Sequence, residues 1–188
     1  MPVYNNDYQP ARPTEGSFNG HGWRQPFNNL KSNWQVDESN RTIFHLDSKV
    51  DERNTLVYDT SIGNDFRATY AYDDIREYPY LPYCSDLKVR FYAKANELQS
   101  TVGVRLSKYL MFYRGWIEGT DMVITKAMRG EREIEVARRP LKHRDLDKPV
   151  LIEFSNVDHQ LKFVVGRESL NYDLGRSPDA GGRREVSV

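Results

Sequence analysis

The stretch Pro149–Tyr172, PVLIEFSNVDHQLKFVVGRESLNY, holds two apolar runs separated by a polar turn. In each run every second residue is large and apolar, namely Val150, Ile152 and Phe154, then Leu161, Phe163 and Val165. Alternate strand residues share one face of a sheet, so one face of each run is predicted to lie in a core. Residues 156–159 between the runs carry the Asn and Asp side chains that favour tight turns. The stretch therefore predicts a β-hairpin, after which Gly166 turns the chain again so that Leu170 and Tyr172 pair onward.

The same alternation recurs along the chain. It is clearest in Asp86–Ala95, where Leu87, Val89, Phe91 and Ala93 share one face. Further predicted strands are Trp34–Asp37, Arg41–Asp47, Thr55–Asp59, Val102–Leu106, Tyr109–Trp116, Met122–Met128 and Glu131–Arg138. Helical spacing is weak and confined to Lys142–Lys148. About ten short strands with turn signals between them predict an all-β protein in which two antiparallel sheets form a β-sandwich, best described as a jelly roll.

The domain organisation follows from composition. Residues 1–30 are rich in Asn, Pro and Gly and predict an extended arm, anchored by its aromatic side chains. Residues 31–188 are predicted to form the sandwich. The alternating end, Arg183–Val188, suggests a strand that begins and is cut, so we expect the 188 residues to be a piece of a longer polypeptide; the alternative is a short edge strand.

Charge, cysteine content and the length of the apolar runs disfavour several classes of protein. Lys plus Arg and Asp plus Glu number 27 each, a formal net charge of +0, which disfavours nucleic-acid binding. Cys84 is the single cysteine, so no internal disulfide is possible. The apolar runs are far shorter than the roughly 20 residues of a membrane helix, so we expect no membrane span in this chain.

Three glutamates at alternate positions suggest one catalytic hypothesis. Glu131, Glu133 and Glu135 are predicted to share the outer face of one strand, opposite Ile134 and Val136. Retaining glycosidases use two carboxyl groups about 5–5.5 Å apart, and a strand can present such a pair. The competing interpretation is a charged, solvated face, since arginines are interleaved with the glutamates.

The tyrosine-rich segment suggests a ligand-binding hypothesis. Tyr70, Tyr72, Tyr78, Tyr80 and Tyr83, together with Tyr113 and Trp116, could form an aromatic platform for a sugar or a peptide. The alternative is that these rings pack a corner between sheets.

The sequence predicts neither a metal site nor a cofactor. His21, His45, His143 and His159 lie in four separate segments without the spacing of zinc ligands. The Asp-rich turns match no complete calcium loop. No nucleotide-binding glycine loop and no serine-nucleophile motif occurs.

Short words spread over most of the chain resemble an inserted segment of unusually long bacterial type I signal peptidases. They are MPVYNNDYQP at Met1–Pro10, Trp23, WQV at Trp34–Val36, LVYD at Leu56–Asp59, Ile62–Tyr72, DLKV at Asp86–Val89 and IEFSNVD at Ile152–Asp158. The resemblance implies a β-sandwich of the concanavalin A or laminin-G type, located on the extracytoplasmic side of the membrane.

That resemblance implies a non-catalytic piece. The serine and lysine boxes of the peptidase dyad and its Gly-Asp-Asn-Ser region do not occur in the 188 residues, so no catalytic residue is assigned. The expected partners are the catalytic part of a membrane-anchored peptidase and a peptide or cell-envelope ligand. The alternative is a stand-alone glycan-binding or glycan-hydrolysing sandwich, and a third class is an assembly module that pairs through an exposed strand.

Overall fold

A computed structural model describes residues 26–28, 32–40, 42–47, 53–60, 86–95, 100–108, 110–143 and 146–175. The chain divides into two compact units, Met1–Cys84 and Ser85–Val188. Every regular element of the described residues is a β-strand, and none of them is helical. The all-β prediction is therefore confirmed for this part of the chain.

The first unit contains two small antiparallel sheets. One pairs β1 with β4 and the other pairs β2 with β3. The strands are β1 (Phe27–Asn28), β2 (Trp34–Val36), β3 (Phe44–Leu46) and β4 (Val57–Tyr58). Phe27 packs edge to face against Tyr58 and Phe44, with ring centroids 5.3 and 5.9 Å apart.

Asp37 organises the turn between β2 and β3. Its carboxylate accepts hydrogen bonds from the hydroxyl and the backbone N–H of Ser39 and from the backbone N–H of Asn40, and it lies 3.0 Å from Nε2 of His45. These contacts, led by the Ser39 hydroxyl, hold the pKa of Asp37 well below its usual range. The connection between β2 and β3 thus contains an Asx-type turn.

The second unit contains two four-stranded antiparallel sheets. Their strand orders are β12-β11-β10-β5 and β6-β7-β8-β9. The strands are β5 (Leu87–Ala93), β6 (Gly103–Lys108), β7 (Met111–Glu118), β8 (Asp121–Met128), β9 (Ile134–Pro140), β10 (Val150–Val157), β11 (Gln160–Val165) and β12 (Glu168–Asp173). The second sheet is a continuous meander, whereas β5 of the first pairs with β10, far away in the sequence.

The hairpin predicted from the opening stretch is confirmed. β10 pairs with β11 through a two-residue connection, Asp158 and His159, whose φ angles are 49° and 64°. Two consecutive positive φ angles are typical of the type I′ turn, which matches the twist of a hairpin. Gly166, with φ 60°, makes the next turn and β12 follows, as predicted.

Apolar side chains from both sheets meet in one core. Phe154 of β10 and Phe163 of β11 are fully buried and pack edge to face, with centroids 6.1 Å apart at 80°. Gly115 of β7 lies against this ring pair, because a Cβ added to it would be 2.8 Å from both rings. The absence of a side chain at Gly115 therefore sets how closely the sheets approach.

Polar contacts also join the two sheets. Arg139 of β9 pairs with Glu168 of β12 at 3.0 Å, and the other carboxylate oxygen of Glu168 accepts the backbone N–H groups of Lys142 and His143. By contrast, Asn156 is 1% exposed, and its two side-chain polar atoms have no hydrogen-bond partner among the described residues. An unpaired buried amide of this kind costs stability of the order of 1–3 kcal/mol.

The predicted strands of the second unit agree with the structure better than the predicted domain boundary does. Each strand predicted between residues 86 and 172 overlaps an observed one. The arm predicted for residues 1–30 lies outside the described residues except for 26–28, where Pro26 is buried and β1 begins. The predicted domain over residues 31–188 spans the boundary between the two compact units.

Replacing Gly115 with Ala tests the close approach of the two sheets. The added methyl group would overlap both rings, so we expect Gly115→Ala to lower the free energy of unfolding by about 1–3 kcal/mol in chemical denaturation. Ser107→Ala, on an exposed position of β6, is the matched control and should change it by less than about 0.5 kcal/mol. A Gly115→Ala protein as stable as the wild type would contradict this account of the core.

Candidate functional site

The face of the β6-β7-β8-β9 sheet that points away from the core carries alternating charged and aromatic side chains. Leu106 and Tyr113 belong to the core, so their strand neighbours Arg105, Phe112 and Arg114 point to the other side. We call this side the outer face. Its side chains are held by ion pairs and by cation–π contacts.

A shallow hollow of about 180 Å³ lies on the outer face, and we call it the Arg105 hollow. Its lining consists of Arg105, Phe112, Tyr113, Arg114, Ala127, Met128, Gly130, Glu131 and Glu133. Arg105 and Arg114 are directly opposite each other in the β6–β7 register. Like charges in directly opposed positions repel, so this pair needs negative charge nearby.

Arg114 receives that charge from within the chain. Its guanidinium contacts the Glu133 carboxylate at 2.5 Å and lies over the Trp116 ring at 4.7 Å from the centroid. The Thr125 hydroxyl donates to the other carboxylate oxygen of Glu133. Arg114 and Glu133 are both half-buried, so they form a fixed wall of the hollow.

Arg105 is placed differently. Its guanidinium lies over the Phe112 ring at 5.3 Å from the centroid, and no carboxylate in the described part of the chain forms an ion pair with it. The side chain is exposed. A guanidinium positioned by an aromatic ring keeps its N–H donors available for a carboxylate or phosphate.

Arg138 of β9 is the centre of an ion-pair network on the same face. It contacts Asp121 at 2.9 Å and Glu135 at 2.7 Å, and also Glu118. The Arg138 guanidinium holds the pKa of Glu135 below its ordinary value, mainly through its hydrogen bond to that carboxylate. The same contacts, led by Glu135, raise the pKa of Arg138.

The three glutamates of the catalytic hypothesis do not share one strand. β9 begins at Ile134, so Glu131 and Glu133 belong to the preceding turn and only Glu135 lies on the strand. The β8–β9 register shifts between Ile124 and Thr125, and Ile134 is 53% exposed. Ile134 pairs with Lys126 and Glu135 pairs with Thr125, so these two β9 residues lie on opposite faces of the sheet.

The structure describes two residues of the predicted aromatic platform, Tyr113 and Trp116. Tyr70, Tyr72, Tyr78, Tyr80 and Tyr83 lie outside the described residues. Trp116 is half-buried on the outer face, where Arg114 covers one face of its ring. Tyr113 is 7% exposed and belongs to the core, on the opposite side of β7 from Trp116. Burial raises the pKa of its phenol.

Metal-binding geometry is not found in the described ranges. No group of three or more His, Cys, Asp or Glu side chains converges there. His45 is exposed and adjoins Asp37. Within the same ranges, no helix has the length and apolar character needed to cross a membrane.

Comparison of the chain with protein-family models, with curated proteins and with solved structures gives no match.

Sequence reasoning missed Arg105, Phe112 and Arg114. The two strands that carry them were predicted, but the register in which Arg105 faces Arg114 comes from the pairing of Lys108 with Met111. The contact from Glu133 to Arg114, two strands away, is not encoded in that register. It depends on how the turn before β9 folds over the sheet.

The network around Arg138 predicts an altered titration of Glu135. Because the folded-state pKa of Glu135 is lowered, its pairing stabilises the fold at pH values above its unfolded pKa, and this contribution is lost as the pH falls through the folded pKa. Arg138→Gln should raise the pKa of Glu135, measured from its carboxyl carbon chemical shift, and weaken the loss of stability at acid pH. Arg132→Gln, at an exposed position of the preceding turn, should leave both unchanged. An unaltered Glu135 titration in Arg138→Gln would refute the assignment.

Proposed function

We propose that this chain is a non-catalytic β-sandwich binding module that receives a carboxylate-bearing group of a peptide or cell-envelope polymer in the Arg105 hollow. Its two four-stranded sheets are proposed to form a jelly roll of the concanavalin A type. Following the resemblance described above, we propose that it is the extracytoplasmic insert of a long bacterial type I signal peptidase.

The observation that carries the binding proposal is the contrast between the two arginines. Arg114 is neutralised by Glu133, whereas Arg105 lies over Phe112 without an ion pair in the described residues. An arginine held by a ring can bind a ligand carboxylate through two parallel hydrogen bonds. Such a ligand also relieves the repulsion between the two opposed guanidinium groups.

The size of the hollow limits its ligand. Pockets that enclose a whole small molecule measure roughly 300–1,000 Å³. The Arg105 hollow, at about 180 Å³, is smaller and shallow. It suits one acidic side chain, a chain terminus or one acidic sugar of a longer polymer.

The carboxylates favour binding over glycan hydrolysis. A general acid needs a raised pKa, and Glu135 has a lowered one because of Arg138. Both oxygens of Glu133 are engaged, one by Arg114 and one by Thr125. Glycan binding by ring stacking is also less favoured at Trp116, because Arg114 covers one of its faces.

A binding titration tests the role of Arg105. The probes are a blocked dipeptide containing Glu, its Gln counterpart, glucuronate and glucose, followed by the NMR shift of the Arg105 Nε–H group. We expect saturable shifts with the two carboxylates only. Arg105→Gln should weaken carboxylate binding about tenfold, which corresponds to the roughly 1.4 kcal/mol of a charged hydrogen bond.

Arg132→Gln removes the same charge from the exposed turn before β9 and serves as the control. It should bind like the wild type. Saturation by glucose would instead support the glycan-binding alternative, and the absence of any saturable shift would refute the carboxylate site.

Cell fractionation tests the proposed location. An antibody raised against this chain should detect, in the membrane fraction of the source cells, a band well above the 22.0 kDa of these residues. A band of about that mass confined to the soluble fraction would refute the insert proposal. The binding titration does not depend on this result.

A further inference from the structure

β5 (Leu87–Ala93) is the edge strand of its sheet. In the strand order β12-β11-β10-β5 it pairs with β10 on one side, and no other described strand pairs with its second side. An edge strand presents backbone N–H and C=O groups that can accept another strand.

The hairpin geometry identifies which backbone groups face the open side. The N–H of Gly166 donates to the carbonyl of Leu151, so Leu151 points its backbone polar groups toward β11. Along a strand these directions alternate, so the next residue, Ile152, points toward β5 and its register partner Phe91 points back to β10. By the same alternation, the residues of β5 that point away from β10 are Lys88, Arg90 and Tyr92.

The core-facing side chains of β5 are covered less completely than those of its neighbours. They are all half-buried, namely Leu87, Val89, Phe91 and Ala93. Ile152 and Phe154, the β10 partners of Phe91 and Val89, are fully buried. A strand added beside β5, with apolar side chains on the core-facing side, would cover this half-exposed row.

The opposite face of β5 is positively charged. Lys88 and Arg90, and Lys94 just after the strand, are exposed; Glu153, the register partner of Arg90, forms an ion pair with Lys88 at 3.3 Å. Neither Arg90 nor Lys94 forms an ion pair among the described residues. Acidic side chains on an added strand would lie directly beside these cations, and opposite charges across a ladder stabilise pairing.

This charge argues against a second copy as the occupant. Antiparallel pairing of two β5 strands about Arg90 would place that arginine opposite its own copy and Lys88 opposite Tyr92. Like charges directly opposite each other destabilise a sheet. The occupant must supply the negative charge.

We propose that the open edge of β5 binds an extended segment of a partner protein in which acidic and apolar residues alternate. The segment adds a fifth strand to the β12-β11-β10-β5 sheet, with its apolar residues continuing the core-facing row and its acidic residues beside Arg90 and Lys88. This inference goes beyond the Arg105 hollow, which lies on the other sheet.

A peptide titration with matched variants tests this proposal. The probe is a blocked, fluorescently labelled peptide of about nine residues in which Glu and Val alternate. Tyr92→Pro removes an edge N–H without removing a donor to β10, whereas Tyr92→Ala keeps that N–H. We expect Tyr92→Pro to weaken binding by about tenfold or more, and Tyr92→Ala to change it by less than about threefold.

Two further variants test the charge of the β5 edge and separate it from the Arg105 hollow. Arg90→Glu should weaken the Glu peptide and strengthen the corresponding Lys peptide. All peptide titrations are repeated in an Arg105→Gln background, where the hollow contributes little carboxylate binding, so failure of this proposal is distinct from failure of the hollow. Equal binding by Tyr92→Pro, equal affinity for the Lys peptide, or self-association of the chain in place of peptide binding would each overturn it.

Amide hydrogen exchange tests the same edge without relying on a variant that folds. In the unliganded protein, the N–H groups of Lys88, Arg90 and Tyr92 should exchange rapidly, and those of Val89 and Phe91 slowly. Saturating peptide should slow the first group and leave the second unchanged. An unchanged first group under saturation would overturn strand addition, whichever variants fold.

Discussion

The contact between Gly115 and the rings of Phe154 and Phe163 is the constraint on which the second unit depends. Each sheet buries one apolar face, and the rings fill the space above a strand that carries no side chain at that point. The distance between the sheets is thereby fixed over the middle of the core.

The close core explains why the polar chemistry lies on the outer faces. Strand alternation sends Arg105, Arg114 and Arg138 away from the rings, to a surface where they meet carboxylates and aromatic side chains. Arg114 and Arg138 are neutralised there, whereas Arg105 is held only by Phe112 in the described residues. The proposed function follows from this difference in pairing, because an arginine already bound to a carboxylate has fewer free N–H donors and less uncompensated charge for a ligand.

Two features of the same unit reduce stability rather than add to it. Among the described residues, the amide of Asn156 is buried without hydrogen-bond partners, and the core-facing row of β5 is only half-buried. An apolar residue at position 156 would avoid the first cost. A strand added beside β5, such as the proposed partner segment, would cover the half-exposed apolar row.

The sequence alone determined the strands, because alternation with period two is a local property that Leu87–Ala93 and Pro149–Tyr172 display without reference to other segments. It also placed a turn within residues 156–159, which the structure narrows to Asp158 and His159, because Asn156 and Val157 belong to β10. Only the tertiary structure decided that β5 pairs with β10, that the β8–β9 register shifts between Ile124 and Thr125, and that Glu133 engages Arg114 rather than standing in line with Glu131 and Glu135. Those outcomes depend on which distant strands meet and on how a turn folds over a sheet, and local alternation contains no information about either.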